Sequence, residues 1–338
     1  MTAIYSGVHQ YIERNTTCVR TESLIADRVI RTLYSTLREN APFIFNLLVS
    51  ARASAFLGYL NYDGPGKTNF SNPLALLRSL GIDPDETFDR ISQLNTYRKV
   101  FERKIRYWEC RPMTTDPFCV VSPADARVLT GSFTENKEVF IKEKFFNFQE
   151  LIGIDKPQWT AALDNGDYAV FRLTPEKYHY NHAPVSGRIL DMYEIDGQYH
   201  SCNPGAVVRS VTPFSKNRRV ITLIDTDVEY GTRVGLVAMV EIVALMIGRI
   251  VQCYSPEGYK PAPLLQKKDF MEKGQPKSLF RPGSSTTVLI FQNNRVQFSP
   301  DLLANQNRHD VHSRFTRGFG TPLVETELNV RETIGRAV

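Results

Sequence analysis

Cysteine is scarce in this sequence, and no CxxC pair occurs among its 338 residues. A zinc site or a disulfide scaffold needs cysteines that are paired at short, regular spacings. The five cysteines are instead odd in number and far apart: Cys18, Cys110, Cys119, Cys202 and Cys253. We therefore expect reduced thiols in a reducing, cytoplasmic compartment, with no structural zinc and no disulfide framework.

Long hydrophobic runs are also absent. Residues 1–15 lack the basic and apolar segments of a secretory signal peptide. The most apolar stretch, residues 41–60, contains Asn46 and Arg52, and an arginine near the middle of a membrane span is costly. We expect a helix here that is buried in the protein or lies in a membrane interface, and not one that crosses the bilayer.

Neither sign of charge dominates the composition. Lysine and arginine number 41 against 36 aspartate and glutamate residues, which gives a net charge of +5. This mild excess is compatible with an anionic partner but does not require one, and we expect no nucleic-acid partner. Residues 98–106 and 267–281 are locally basic. Solvated surfaces account for them, and peripheral contact with an anionic membrane is the alternative.

Several familiar catalytic motifs are missing. The sequence contains no GxGxxG, HExxH or GxSxG string and no EF-hand loop, which weighs against dinucleotide-binding proteins, zincins and α/β-hydrolases. Histidine is also rare, with six in the chain. Two of them, His179 and His182, lie three residues apart and can converge on one site in a turn or a helix. Unrelated surface or core histidines are the alternative.

The pattern of apolar residues predicts an α+β protein. Apolar positions at helical spacing predict helices from Glu22 to Leu37, over residues 41–60, and from the cap Asp83 to Trp108. After Pro112, short apolar or alternating runs between turn residues predict a mainly antiparallel β region. The predicted strands are 118–121, 127–129, 139–141, 168–173, 187–195, 219–224, 233–243, 247–253 and 286–291.

These changes of pattern divide the chain into three segments. Residues 1–112 form a helical N-terminal region, residues 113–300 a catalytic core, and residues 301–338 a C-terminal tail. Strands and helices do not alternate regularly in the core, so we do not expect a doubly wound sheet. The tail is polar and irregular in pattern, and we expect much of it at the surface.

Four strings in the core carry the functional signal. They are SPADARVL at residues 122–129, YHYNHAPVSG at 178–187, RVITLIDT at 219–226 and GSSTTVLIF at 283–291. In this order they resemble the phosphatidylserine decarboxylase family. The family's patterns are SPAD followed by Gly or Ser and then Arg, YHxxHxPVxG, a strand ending in LIDT, and GST or GGST before an apolar run. The resemblance spans about residues 117–292, which is over half of the chain.

The resemblance implies a pyruvoyl enzyme, which makes its cofactor from its own backbone. Ser285 matches the serine that becomes the pyruvoyl group, because residues 285–291 reproduce the family's serine-to-phenylalanine spacing. Ser284 then precedes the cleaved bond, at a position where the family usually has glycine. Cleavage between Gly283 and Ser284 stays open as the alternative. The family also implies a helical extension on a β-rich core whose second half, around residues 207–291, is similar to a barrel-sandwich fold.

The resemblance assigns roles at three further positions. His182 matches the histidine that takes the proton of the attacking serine, and Asp125 matches the carboxylate that orients this histidine. His179 matches the histidine assigned to decarboxylation, in which it would protonate the intermediate. The implied reaction converts phosphatidylserine to phosphatidylethanolamine and CO2 through a Schiff base on the pyruvoyl group, without a metal.

Departures from the family patterns leave the substrate open. Tyr180 and Asn181 stand where the family usually has arginine and phenylalanine. Related soluble enzymes decarboxylate free aromatic amino acids such as tryptophan, so a free amino acid is the alternative substrate. A serine hydrolase that uses Asp125, His182 and Ser285, and a non-catalytic relative, are further alternatives. Whether two copies form a homodimer is also left open.

Overall fold

A computed structural model describes residues 8–24, 27–34, 38–50, 62, 70–134, 145–210, 212–245, 249–283 and 285–338. Within these ranges the chain folds as an α+β protein in which β-strands dominate the part after residue 118. The predicted fold class is therefore confirmed.

The strands form the framework of the protein. They are β1 (Gln10–Glu13), β2 (Val19–Thr21), β3 (Cys119–Val121), β4 (Ala126–Ser132), β5 (Asp167–Leu173), β6 (Tyr180–His182), β7 (Gly187–Ile195), β8 (Arg219–Asp225), β9 (Leu236–Val243), β10 (Ile250–Gln252), β11 (Phe270–Met271), β12 (Pro276–Phe280), β13 (Ser285–Phe291), β14 (Val296–Phe298), β15 (Thr326–Leu328) and β16 (Thr333–Ala337).

The helices are short and lie between or beside the strands. They are α1 (Asp27–Thr32), α2 (Arg38–Asn40), α3 (Pro42–Leu48), α4 (Pro73–Ser79), α5 (Tyr97–Phe101), α6 (Tyr107–Cys110), α7 (Phe148–Ile152), α8 (Pro157–Ala162), α9 (Pro204–Val207), α10 (Pro213–Lys216), α11 (Pro300–Gln306) and α12 (Arg314–Phe319), with 3-10 turns at Pro84–Glu86 and Ile91–Gln93.

Ten of these strands form one sheet, in the order β11-β7-β8-β9-β13-β5-β4-β15-β1-β2. Neighbouring strands are antiparallel except for β1 and β15, which are parallel. Two smaller sheets, β10-β12-β6 and β14-β16-β3, contain three strands each. Strand β13 lies near the middle of the large sheet, between β9 and β5.

The large sheet buries side chains on both faces. Alternation along β13 sends Leu289 and Phe291 into one hydrophobic cluster, and Val288 and Ile290 into another. The first cluster includes Phe280 of β12, so the small β10-β12-β6 sheet packs on this face. Helices α7 and α12 contribute to the second cluster. The start of β13 is therefore enclosed between the two sheets.

Most predicted strands are confirmed. Strand β7 has the predicted bounds, and β5, β8 and β13 differ from the predicted ranges by one residue at one end. The strand predicted over 233–243 begins only at Leu236, and the one predicted over 247–253 is shortened to β10. The strand predicted over 139–141 lies outside the described residues.

The N-terminal region is less helical than predicted. Residues 10–13 and 19–21 form strands β1 and β2, which extend the large sheet beyond β15. The helix predicted from Glu22 begins at Asp27 instead. Glu22 lies before it because its carboxylate is drawn to the buried Arg172, which it contacts at 2.7 Å.

The continuous helix predicted from Asp83 to Trp108 is wrong. The chain turns back on itself in this segment, and Thr87 forms a β-bridge with Ile105. Asp83 does cap a helical start, but its side chain accepts a hydrogen bond from the Asp85 amide in a single 3-10 turn. The apolar side chains that suggested one long stripe pack together instead as a small cluster around α4 and α5.

The C-terminal tail is also more ordered and more buried than predicted. Strand β15 lies between β4 and β1, and β16 lies between β14 and β3. Val324, Glu325 and Ile334 are buried. The expectation that much of the tail lies at the surface is therefore wrong, because its strands complete two sheets. The three-segment division itself stays a prediction.

The apolar stretch over residues 41–60 is described only in its first half. Helix α3 covers Pro42–Leu48, and residues 51–60 lie outside the described residues. Among the helices that the structure describes, none is long and apolar enough to cross a bilayer.

Candidate active site

Ser285 begins strand β13 in the middle of the large sheet. Its neighbours in register are Leu173 of β5 and Val243 of β9. The residue is 1% exposed, and its hydroxyl has no hydrogen-bond partner among the described residues. A buried hydroxyl normally finds a partner, because it otherwise loses water without compensation. The Ser285 hydroxyl is therefore a buried group that no structural contact occupies.

The backbone just before Ser285 has an unusual conformation. Gly283 has a φ angle of 148°, which side chains with a Cβ rarely adopt, so glycine has a local reason at this position. Ser284, on the other side of the predicted cleavage bond, lies outside the described residues. The structure thus places the serine after the bond but not the residue before it.

His182 ends strand β6 and is completely buried. Its Nδ1 lies 2.8 Å from the carbonyl oxygen of Gly274, and its Nε2 lies 2.9 Å from the hydroxyl of Tyr178. A carbonyl oxygen only accepts hydrogen bonds, so Nδ1 carries the proton and Nε2 accepts from Tyr178. Burial lowers the pKa of His182 to about 3. The imidazole is therefore neutral, with its basic lone pair on Nε2.

Gly274 owes its identity to the same contact. Its φ angle of 80° lies in the left-handed region that favours glycine, and a Cβ there would collide with the sulfur of Met113. This conformation aims the Gly274 carbonyl at His182 and so fixes which nitrogen of the ring carries the proton.

His179 lies just before β6 and is also buried. Neither of its ring nitrogens has a hydrogen-bond partner among the described residues. The ring stacks on Phe101 of α5, with centroids 3.5 Å apart and planes inclined by 26°. Burial, with a smaller contribution from the charge of Arg103, lowers the pKa of His179 to about 3. His179 is therefore a neutral imidazole with two unused nitrogens under an aromatic cover.

Asp125, at the end of the SPAD string, is held by a buried arginine. Its carboxylate accepts hydrogen bonds from Nε and Nη2 of Arg111, at 3.0 and 2.9 Å, and from the amide of Val330 at 2.8 Å. Burial alone would raise the pKa of Asp125, but the charge and hydrogen bonds of Arg111 hold it below its usual value. No hydrogen bond joins Asp125 to His182 among the described contacts, although its negative charge favours the protonated form of this histidine.

A hydrogen bond brings the serine strand against the histidine strand. The hydroxyl of Thr287, two residues after Ser285, donates to the side-chain oxygen of Asn181 at 3.0 Å. Asn181 directly precedes His182 in β6. The structure therefore packs the strand that carries Ser285 against the strand that ends at His182, while Asp125 affects both histidines through its charge.

Three side chains at the site could not be found from the sequence. Arg111 has no motif of its own and reaches Asp125 only because helix α6 ends nearby. Phe101 is one apolar position of a predicted helical stripe, and nothing in the sequence shows that it covers His179. Tyr178 stands inside the histidine string, so its closeness to His182 is the one signal that a reader of the sequence could have used.

Arg111 should be essential for stability because it neutralises Asp125. We expect Arg111→Gln to lower the free energy of unfolding at pH 7 by about 3 kcal/mol, since a buried carboxylate then loses its partner. Glu86, which Arg111 contacts at 2.7 Å, is half-buried and loses less. Urea unfolding measures the loss.

The pH dependence of this loss has a definite sign. The lowered pKa of Asp125 contributes stability above about pH 3.9, the value in the unfolded chain, and this stability is lost as pH falls. Without Arg111, burial raises the pKa of Asp125, so the variant should differ less from wild type at pH 4.5 than at pH 7. Lys260→Gln, at an exposed ion pair, should change nothing measurable. An equal loss for Arg111→Gln at both pH values would contradict this account.

A second buried charge cluster lies beside β5 and contains a potential set of metal ligands. The ligand atoms of His9, Glu22 and Glu325 lie within 4.8 Å of one another. Arg172 contacts Glu22 at 2.7 Å and Glu325 at 2.5 Å, and Arg127 contacts Glu22 at 2.6 Å. The arginines already neutralise both carboxylates, so the cluster is better described as a buried ion-pair network. It joins residues that precede and follow Ser285 in the chain.

Comparison with known proteins points in one direction. A family model described as phosphatidylserine decarboxylase matches residues 97–316. The chain is 34% identical over 233 residues to phosphatidylserine decarboxylase proenzyme 2 of Oryza sativa subsp. japonica, which covers 67% of this chain and 34% of the rice protein. It is 26% identical over 300 residues to the phosphatidylserine decarboxylase proenzyme of Clostridium tetani, and 27% identical over 320 residues to that of Fusobacterium nucleatum.

The coverage differs between these relatives. The two bacterial alignments include 88% and 92% of this chain and 93% and 97% of the bacterial proteins. The chain thus spans about a third of the rice protein and nearly the full length of the bacterial proteins.

Proposed function

The chain belongs to the phosphatidylserine decarboxylase family, and we propose that it is a self-processing carboxy-lyase that converts phosphatidylserine to phosphatidylethanolamine and CO2. The observation that supports this most strongly is the buried, unpaired hydroxyl of Ser285 at the head of β13. It lies on a strand that packs against β6, whose two histidines are neutral and can accept protons.

The first reaction is cleavage of the chain at Ser285. Its hydroxyl attacks the carbonyl carbon of Ser284, and the peptide bond between them becomes an ester. His182 takes the hydroxyl proton on Nε2 and returns a proton to the released nitrogen, while the charge of Asp125 favours the transient imidazolium. Tyr178 gives up its hydrogen bond to Nε2 when this lone pair is used.

Cleavage is completed by elimination. The ester releases the carboxylate of Ser284, and residue 285 is left as dehydroalanine. Hydrolysis of this group gives a pyruvoyl group and ammonia, so the mature protein consists of residues 1–284 and 285–338. The pyruvoyl ketone would supply an electron sink, because it forms a Schiff base with the substrate amine and draws electrons from the departing carboxylate.

The fold would hold the two products together. Strand β13 of the second product lies between β9 and β5 of the first. Arg172 of the first product contacts Glu325 of the second inside the buried ion-pair network. No linking peptide is needed between 284 and 285, because both faces of β13 are buried.

We assign His179 to the second reaction. Its two nitrogens have no partner among the described residues and are therefore open to a substrate. Phe101 covers the ring and must move before a substrate can reach it. His179 would then move a proton to the carbon that the carboxylate has left.

Two measurements test the proposed function. Denaturing mass analysis of purified protein should show fragments that correspond to residues 1–284 and 285–338, with the smaller blocked at its N-terminus. The processed protein should release CO2 from phosphatidylserine. A protein that remains a single unmodified chain would refute self-processing. Release of CO2 from free tryptophan but not from phosphatidylserine would refute the proposed substrate.

A phospholipid substrate requires contact with a membrane surface, and α3 offers an apolar face. Phe43, Ile44 and Leu47 are 80%, 49% and 56% exposed, while Phe45 and Val49 are buried against Tyr34 and neighbouring residues. The helix is thus anchored by one face and presents the other to solvent. We propose that this exposed face enters the membrane interface.

The two basic clusters contribute less to such a surface than the sequence suggested. In residues 98–106, Arg103 is buried and donates hydrogen bonds to backbone oxygens. In residues 267–281, Lys277 is fully buried, and Lys273 donates to three backbone oxygens. The prediction of two exposed basic patches is therefore wrong at these positions, because the charges satisfy interior acceptors.

Removal of the apolar face of α3 should weaken membrane binding. We expect the double variant Phe43→Ser/Leu47→Ser to bind phosphatidylserine-containing vesicles at least about tenfold more weakly, because two large side chains no longer enter the interface. Sedimentation with vesicles measures binding. Ile154→Ser, which changes a side chain that is 77% exposed elsewhere, is the matched control and should bind normally. Unchanged binding of the double variant would exclude α3 as the contact.

A further inference from the structure

A fully buried ion pair lies beside the active site. Nζ of Lys277 on β12 contacts the carboxylate of Glu241 on β9 at 2.5 Å, and neither side chain is exposed. Lys277 also donates to Gln252 at 2.8 Å. The second carboxylate oxygen of Glu241 accepts hydrogen bonds from Asn181, at 3.1 Å, and from Ser278. Four strands, β6, β9, β10 and β12, therefore meet in one polar network.

Such a network is not the simplest way to stabilise a core. Two charges lose much hydration when they are buried, and apolar residues of similar volume often stabilise a fold as well or better. Every charged group here is nevertheless paired, so the arrangement is internally complete. The network therefore specifies a particular arrangement of the strands more than it adds stability.

Asn181 connects this network to the cleavage site. It stands between His179 and His182 in sequence, and its side-chain nitrogen donates to Glu241 while its oxygen accepts from Thr287. In β13, Thr287 follows Ser285 by two residues, so both side chains leave the strand on the same face. One amide thus links the histidine strand to the face of β13 that carries the Ser285 hydroxyl.

We propose that Asn181 is a positioning residue for self-cleavage. Through Thr287 and Glu241 it fixes the distance and angle between β6, which ends at His182, and the start of β13. Cleavage depends on this geometry, because a misplacement of about 1 Å between reacting groups can cost a factor of about 100 in rate. The inference rests on the proposed function, since it concerns the same Ser285 and the same cleavage.

Two neighbouring threonines allow a matched test. The Thr287 hydroxyl donates to Asn181, whereas the buried hydroxyl of Thr286 on the opposite face has no hydrogen-bond partner among the described residues. Replacement of threonine by valine keeps the volume of the side chain and removes the hydroxyl. We expect Thr287→Val to slow cleavage about tenfold, because the Asn181 oxygen loses its donor next to the site. Thr286→Val should cleave at the wild-type rate.

Rates are followed by denaturing mass analysis of freshly translated or refolded full-length chain, with thermal unfolding measured on Ser285→Ala versions of the same variants. The stability measurement separates a positioning role from a structural one. If Thr287→Val slows cleavage only because the fold is loosened, its rate should recover at lower temperature and its stability should fall. We expect slow cleavage at a stability close to that of Thr286→Val, and recovery of the rate in Thr287→Ser, which restores the hydroxyl.

A double-mutant cycle tests the path through Asn181. In an Asn181→Leu background, which lacks the acceptor, Thr287→Val should slow cleavage little further. Equal rates for Thr287→Val and Thr286→Val, in a wild-type protein that cleaves, would overturn this inference and leave the proposed function intact. A wild-type chain that never cleaves would overturn the proposed function, and this inference with it.

Discussion

Ser285→Ala is expected to remain a single chain of 338 residues and to show no decarboxylase activity. The variant has no hydroxyl to attack the preceding carbonyl, so no ester forms and no pyruvoyl group arises. The loss should be complete, because no neighbouring group is assigned as a substitute nucleophile. Denaturing mass analysis and CO2 release from phosphatidylserine measure the two effects.

The structure also explains why this variant should fold normally. The Ser285 hydroxyl has no hydrogen-bond partner among the described residues, so its removal breaks no described contact. The smaller, apolar alanine suits a buried position between β9 and β5. We therefore expect the thermal midpoint to stay close to that of the uncleaved wild-type chain. A cleaved Ser285→Ala protein would show that another residue is the nucleophile.

The central part of the fold could be predicted from the sequence because its strands are continuous apolar runs between turn residues. Strand β7, for example, has the predicted bounds. The N-terminal region could not be predicted in the same way. Between Asp83 and Trp108 apolar residues recur at helical spacing, but the bridge between Thr87 and Ile105 folds the segment back on itself. Periodicity describes one element, whereas this contact depends on tertiary structure.

The active site could be predicted only as a set of residue types. The motif strings contain Asp125, His179, His182 and Ser285, and the structure places them on strands, or next to strands, that pack together. The partners of these residues were not predictable. Arg111, which holds Asp125, and Phe101, which covers His179, come from the N-terminal region, whose structure the sequence pattern misjudged. Contacts of this kind follow from the fold and leave no local pattern.

The environment of Asp125 refines its predicted role. The resemblance assigns Asp125 to orient His182, yet in the structure Gly274 and Tyr178 occupy both nitrogens of this ring. Asp125 instead forms its hydrogen bonds with Arg111 and Val330. In the uncleaved chain, orientation of His182 is thus supplied by Gly274 and Tyr178, and Asp125 contributes its charge. Its assignment as an orienting carboxylate stays a prediction.

The two histidines should separate the two reactions. We expect His182→Ala to slow self-cleavage by a factor of about 100 to 10,000, which is the usual contribution of a general base. His179→Ala should cleave close to the wild-type rate but lose decarboxylation by a similar factor. Mass analysis follows the first reaction, and CO2 release from phosphatidylserine by fully processed protein follows the second.

The different contacts of the two rings support this division. His182 is held by two hydrogen bonds in the orientation of a neutral base, as cleavage of an otherwise buried bond requires. The nitrogens of His179 have no partner among the described residues, and its ring is covered only by Phe101, so it is suited to meet a substrate that arrives later. His200→Ala is a control, because His200 is buried against Tyr34, in a different hydrophobic cluster. Normal cleavage by His182→Ala together with loss of cleavage in His179→Ala would reverse the two roles, and the unpaired nitrogens of His179 would then belong to the base that serves Ser285.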